Sequence, residues 1–202
     1  MNFYERYQNW ETTAVYADIT ELGQKAFSPQ YYPDVRNVLE ETFNRVAYNL
    51  RVIHAALIEV GYLFKQEFQY NSDQPLLKPF PDTEALLQQL AMAVKPFGYV
   101  PESLKMFYRA IGGCNFAWDY ETNEEYMWVY ADPIQIIALD DLVITPVPTI
   151  DSAFLNEAHN TTFIDYLRVT FENCGFSRIT DTGCANDYQD FFAKVKPLLK
   201  KI

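Results

Sequence analysis

The feature that most constrains this chain is a sustained apolar stripe. Between Pro33 and Gly61, Val35, Leu39, Phe43, Val46, Leu50, Ile53, Leu57 and Val60 recur at spacings of three and four. That is the period of a helix with one face against a core. Pro33 and Asp34 predict its start, with Asp34 as the N-cap. Gly61 predicts its stop, because glycine reaches the left-handed conformation cheaply. The flanking sequence is then read by period. Residues 1–30 read as one or two short helices. Phe3, Tyr7 and Trp10 share one face, and Val15, Ile19 and Leu22 share another.

After Gly61, Tyr62, Phe64 and Phe68 alternate with Leu63, Lys65 and Glu67, which predicts a strand. Asp82 is expected to cap a second helix with the stripe Leu86, Leu87, Leu90, Ala91 and Val94, ended by Pro96. Pro101 opens a third, where its missing N–H costs nothing. Leu104, Phe107, Tyr108 and Ile111 are its core face, and Gly112 and Gly113 are expected to end it and to make a tight turn into the sheet. The period then drops to two through Phe116, Trp118 and Tyr120. "ETNEE" reads as a turn, "YMWVYA" as a return strand, and "PIQIIAL" and "LVIT" as further strands. A linker, "PVPTIDSAFLNEAHNTT", carries one helical turn. Phe163, Tyr166, Leu167, Thr170, Phe171 and Cys174 mark a helix closed by Gly175. A last helix presents Tyr188, Phe191, Phe192 and Val195, and Pro197 kinks or restarts it. The expected fold class is α+β: an antiparallel-leaning sheet backed by helices. Residues 1–30 form a helical N-terminal extension and 31–202 a single domain.

Charge is unevenly placed. The chain's 202 residues carry a formal net charge of −11. Between Arg109 and Arg168 there is no Lys or Arg. That gap holds Asp119, Glu121, Glu124, Glu125, Asp132, Asp140, Asp141, Asp151, Glu157 and Asp165, ten of the 27 acids, leaving 17 acids against 16 bases elsewhere. Such a field repels nucleic acid and attracts a basic partner, or it only keeps the surface soluble.

Few residues suggest catalysis. His54 and His159 are the two histidines, with no HExxH or paired-His spacing. Cys114, Cys174 and Cys184 show no CxxC spacing, and an odd count does not suggest a disulfide scaffold. Cys114 and Cys174 read as small buried hydrophobes. Asp140–Asp141 and Glu124–Glu125 are adjacent acids, which on a strand face opposite sides. "IGG" follows a helix, whose C-terminal end disfavours phosphate. "KVKPLLKK" reads as a helix-dipole complement. No cofactor and no metal is expected. "MNFYERYQNWETT" lacks the basic start and apolar run of a secretory leader, and no apolar run would span a bilayer. The expectation is a cytoplasmic, reducing environment and no membrane partner.

The helix "VPESLKMFYRAIGG", the aromatic strand "FAW" and the segment "YADPIQIIALDDL" together resemble the SUKH superfamily, the Smi/Knr-like domains. "TTFIDYLRVTFENCGF" is similar to that family's F-x-x-[FY]-L helix before an aromatic turn. The resemblance covers about residues 80–180 and leaves 1–60 outside. It departs at the turn, where members often carry Gly-Gly-Phe-Pro-Gly and this chain has Cys174-Gly175-Phe176-Ser177-Arg178. The resemblance implies an α+β fold without a catalytic centre. It further implies an immunity protein that binds and neutralises a secreted bacterial toxin, often a nuclease, or a regulatory domain.

The expected contact residues are Asp119, Glu121, Glu124, Glu125 and Tyr126, with Trp118 or Trp128 as anchors if exposed. The competing expectation is that both tryptophans are core and the acids a solvated hairpin tip. A regulatory or scaffolding domain, homo-oligomeric through the aromatic helices of residues 1–30, is the second reading. An enzyme using the paired carboxylates is the third.

Overall fold

The computed structural model describes residues 2–65, 74–96, 99–119, 131–139, 162–179 and 187–202. The architecture is mixed helix and strand, an α+β fold with small antiparallel sheets. Its organising element is α3, Tyr32–Glu59, 28 residues and about 42 Å long. Seven of the eight stripe residues are buried along it, from Val35 to Leu57. The eighth, Val60, is the C-cap residue and is 39% exposed. Gly61 follows at φ +76°, the left-handed stop that the sequence predicts.

The start of α3 corrects one expectation. Tyr31 is the N-cap, and no side chain caps the helix. Asp34 lies in the first turn and turns its carboxylate to another helix, α1 (Phe3–Gln8). Its Oδ2 accepts from Phe3 N at 2.6 Å and its Oδ1 from Tyr4 N at 3.1 Å. The first amides of α1 lack partners within their own helix, so a carboxylate from α3 satisfies them. Phe3 and Tyr7 are thereby held in the core, with Val15 of α2 (Thr12–Leu22) beside them. The N-terminal helices share one hydrophobic cluster with the remainder of the described chain. Trp10 departs from the face it was assigned to. Helix α1 ends at Gln8, and Trp10 takes φ +69° and is 58% exposed.

Helices α4 (Thr83–Val94) and α5 (Glu102–Ala110) pack on each other, and α5 packs on α3. Asp82 is the N-cap of α4 by position but accepts no capping hydrogen bond. The double glycine after α5 makes the expected turn into the sheet. Ile111 leaves the helix in an extended conformation, Gly112 bends the chain, and Gly113 opens the next strand. Strand β1 (Leu76–Leu77) pairs with β2 (Gly113–Asn115), and β2 pairs with β4 (Gln135–Ile136). A Cβ on Gly112 would lie 2.2 Å from the Lys78 carbonyl oxygen, and one on Gly113 2.9 Å from Ala138 Cα. Two glycines are needed because two backbones approach too closely for side chains.

A second pair joins β3 (Ala131–Pro133) to β5 (Phe176–Ile179), with a register shift between Asp132 and Pro133. Ile134 ties the sheets together. Its N–H donates to Gly175 O at 2.9 Å, and its carbonyl accepts from Phe116 N at 3.0 Å. Helix α6 (Phe163–Glu172) feeds β5 through Cys174 at φ +53° and Gly175 at φ +105°. A Cβ on Gly175 would lie 2.9 Å from Ile53 Cγ2, so this turn also presses on α3.

Helix α7 (Asp187–Val195) runs into a 3₁₀ turn, Lys196–Leu198, which Pro197 restarts. Lys196 complements a helix dipole, but not that of its own helix. Its Nζ donates to the carbonyls of Phe171 (3.3 Å) and Glu172 (3.0 Å) at the C-terminus of α6. The expected strand at "LVIT", the "ETNEE" turn and most of "YMWVYA" lie outside the described residues, as does the linker up to Thr161.

Candidate functional site

Within the acid-only segment, the described residues run to Asp119 and resume at Ala131. The stretch up to Asp119 is set among aromatic residues. Phe116 and Trp118 point inward by the alternation of an extended chain, and both are buried. Trp118 bridges Phe64 in antiparallel register. Lys65 N donates to Ala117 O (2.8 Å) and Asp119 N to Leu63 O (3.0 Å), so the segment after α3 flanks the departing strand. Tyr62 packs edge-on against Trp118 at 4.8 Å, and its hydroxyl donates to Phe116 O at 2.7 Å. Phe64 packs edge-on against Phe116 at 5.7 Å.

This geometry corrects one expected contact residue. Trp118 is 2% exposed, so it does not meet the condition for a partner anchor. It is a core residue directly before Asp119, the first acid of the base-free gap. Asp119 follows at the rim, half-buried, with its amide engaged as above. Glu121, Glu124, Glu125, Tyr126 and Trp128 lie outside the described residues.

Two other acids of the base-free gap are committed locally. The Asp132 carboxylate accepts from the Ser177 hydroxyl across β3 and β5. Thr162 caps α6. The Asp165 N–H donates to Thr162 Oγ1 at 3.2 Å, and the Asp165 carboxylate accepts from that hydroxyl at 2.8 Å. It also pairs with Arg168 at 2.9 Å. A charge count along the sequence cannot distinguish such acids from solvated ones.

The thiols and the imidazole read as packing groups. Burial pushes Cys114 up to about 12. Cys174 also rises to about 12 by burial, with Lys196 opposing and Glu172 adding to the shift. Neither offers a thiolate at neutral pH. Cys184 and His159 lie outside the described residues. His54 stacks on Phe116 at 5.9 Å with the planes 16° apart, and burial lowers its pKa. Among the described residues, no group of three or more His, Cys, Asp or Glu could hold a metal ion. No described helix is long and apolar enough to cross a membrane.

A groove that the sequence did not signal runs between α2, the start of α3 and residues 99–103. It encloses about 320 Å³ and is lined chiefly by apolar surface, including Tyr16, Phe27, Tyr32 and Tyr99. Glu102 lies at its edge, already engaged by Tyr32 OH (3.2 Å), Lys105 (3.0 Å) and Arg109 (3.5 Å). Its aromatic residues come from segments far apart in sequence, which is why no local pattern announced it. Comparison of the chain with protein-family models, with curated proteins and with solved structures finds no match.

Proposed function

We propose that the chain is a non-enzymatic protein-binding domain of the SUKH type, acting as an immunity protein against a basic, secreted toxin. The observation that carries this reading is the base-free gap, 58 residues holding ten acids, rooted in the core through Trp118. A nuclease must present Lys and Arg to phosphate, and an acidic segment with Tyr126 and Trp128 offers that surface both charge and aromatic anchors. The partner is a protein, and neither nucleic acid nor a membrane is part of the reading. A cytoplasmic location follows from it, since a cell must be protected where the toxin acts.

The experiment is co-expression with a basic toxin domain encoded beside this chain. Growth rescue and a complex on size exclusion are expected. Replacing Glu121, Glu124 and Glu125 together by Lys should abolish both. A failure of the unaltered chain to rescue or to form the complex removes the reading.

A regulatory or scaffolding domain that self-associates through residues 1–30 is the second reading. Trp10 (58% exposed) and Phe27 (54% exposed) favour it, whereas Phe3 and Tyr7 face the core and cannot serve it. Sedimentation of the unaltered chain and of Trp10→Ser tests it. A monomer that does not change with concentration excludes it.

A further inference from the structure

Residues 200–202 lie along α3 as an extended peptide would lie in a binding site. Asn49 is fully buried on α3, within the apolar stripe. A buried amide must be paired on both its oxygen and its nitrogen. Here both go to one residue. Lys200 N donates to Asn49 Oδ1 at 2.8 Å, and Asn49 Nδ2 donates to Lys200 O at 2.8 Å. The amide therefore reads a main chain in the way a neighbouring strand would.

One turn earlier on α3, Arg45 Nη1 donates to Lys201 O at 3.0 Å. Arg45 is itself held by Glu41 (2.8 Å) and lies against the rings of Tyr7 (4.6 Å) and Trp10 (5.0 Å). From α6, Arg168 Nε donates to Ile202 O at 3.2 Å. Three successive main-chain oxygens are thus met by three side chains from two helices.

The side chains of the segment are read as well. Lys200 Nζ lies 4.4 Å from the centroid of the Tyr48 ring, a cation–π contact. Lys201 points to solvent, and Ile202 is buried to 3% exposure. The arrangement selects an extended main chain with a base, a free position and an aliphatic residue.

We propose that Arg45, Asn49 and Arg168 form a receptor site for a basic–aliphatic peptide, and that residues 200–202 occupy it as a detachable intramolecular latch. The site lies on α3 and α6, and it does not depend on the partner reading above. A segment tethered by a short connection holds such a site at about millimolar effective concentration, so a free peptide is excluded while the latch is closed.

The test uses the full chain and a fluorescein-labelled peptide of residues 196–202. Ile202→Asp places a carboxylate in the buried aliphatic position and should release the tail. By fluorescence anisotropy, this variant is expected to bind the peptide about tenfold or more tightly than the unaltered chain. Adding Asn49→Leu should remove that gain. A folded Ile202→Asp chain that binds the peptide no better than the unaltered chain overturns the proposal.

Hydrogen exchange on the unaltered chain gives an independent answer that does not depend on the variant folding. A latch that opens locally exposes the Lys200 amide without unfolding α3, so Lys200 should exchange about tenfold or more faster than Leu50. Equal protection of the two amides means that the tail leaves only when the whole fold does, and this also overturns the proposal.

Discussion

Two regions grip α3 by opposite means. Near Tyr62, the stretch before Asp119 is held by aromatic packing: Tyr62 against Phe64 and Trp118, and Phe64 against Phe116. Near Asn49, the end of the chain is held by directed polar contacts from Arg45, Asn49 and Arg168. Aromatic burial is strong and tolerant of direction, and it fails when volume is lost. A buried polar cradle contributes less in net terms, and it fails when one partner is removed and the other is left dry. The first suits a permanent root. The second suits a contact that opens and closes.

The largest expected effect breaks the root. Trp118→Ala should lower the unfolding free energy by about 3–5 kcal/mol, measured by urea denaturation, because it removes a buried aromatic and leaves a cavity. A loss below about 1 kcal/mol would mean that Trp118 is not packed as described, and would restore it as a surface anchor. Next comes the strand that carries the root. Gly112→Ala forces a methyl to within 2.2 Å of the Lys78 carbonyl oxygen, so backbone must move. The expected loss is about 3 kcal/mol, at the upper end for overpacking. If the two glycines served only as a helix stop, Ala at Gly112 would be nearly neutral.

That contrast shows which parts of the molecule were legible in its sequence. The stripe of α3 was plain because its period recurs from Val35 to Leu57, and no distant residue can alter a local period. The glycines were seen as a boundary, but their reason was not, since the Lys78 carbonyl arrives from before α4. Asp34 illustrates the same limit. The Pro33–Asp34 pair marks a helix start correctly, and only the arrival of α1 turns the carboxylate to Phe3 and Tyr4. Alternation placed Phe116 and Trp118 on one face. Whether that face was inside depended on Tyr62 and His54. The acid count was right as a count, but Asp132 and Asp165 proved to be occupied by Ser177, Thr162 and Arg168. The cradle had one faint signal, a polar Asn49 inside an apolar stripe.

The cradle should respond to chemistry rather than volume. Asn49→Leu keeps the size of the side chain and leaves the Lys200 N–H and carbonyl without their partners. An expected loss of about 1–3 kcal/mol follows if those groups stay buried. If the tail detaches instead, water satisfies them, the loss shrinks below that range, and trypsin cleaves sooner after Lys200 and Lys201. Either response differs in kind from the cavity left by Trp118→Ala, so the pair of variants sharpens the distinction between root and latch.

The smallest effect tests whether the aromatic root tolerates charge. His54 stacks on Phe116 and tilts against Phe64 at 5.3 Å. Burial lowers its folded pKa below the ordinary 6.5. The unfolded chain therefore takes up the proton first as pH falls. The stability that His54 contributes is complete above its unfolded pKa and is lost as pH drops through that value toward the folded one. Between about pH 7.5 and about pH 5.5, the melting temperature of the unaltered chain should fall further than that of His54→Gln. The difference is expected to be small, because His54 is only half-buried. The opposite order, with the unaltered chain holding its stability better in acid, would show that imidazolium on the Phe116 ring gains more from the cation–π contact than it loses in desolvation. The root would then accept a positive charge at its inner edge.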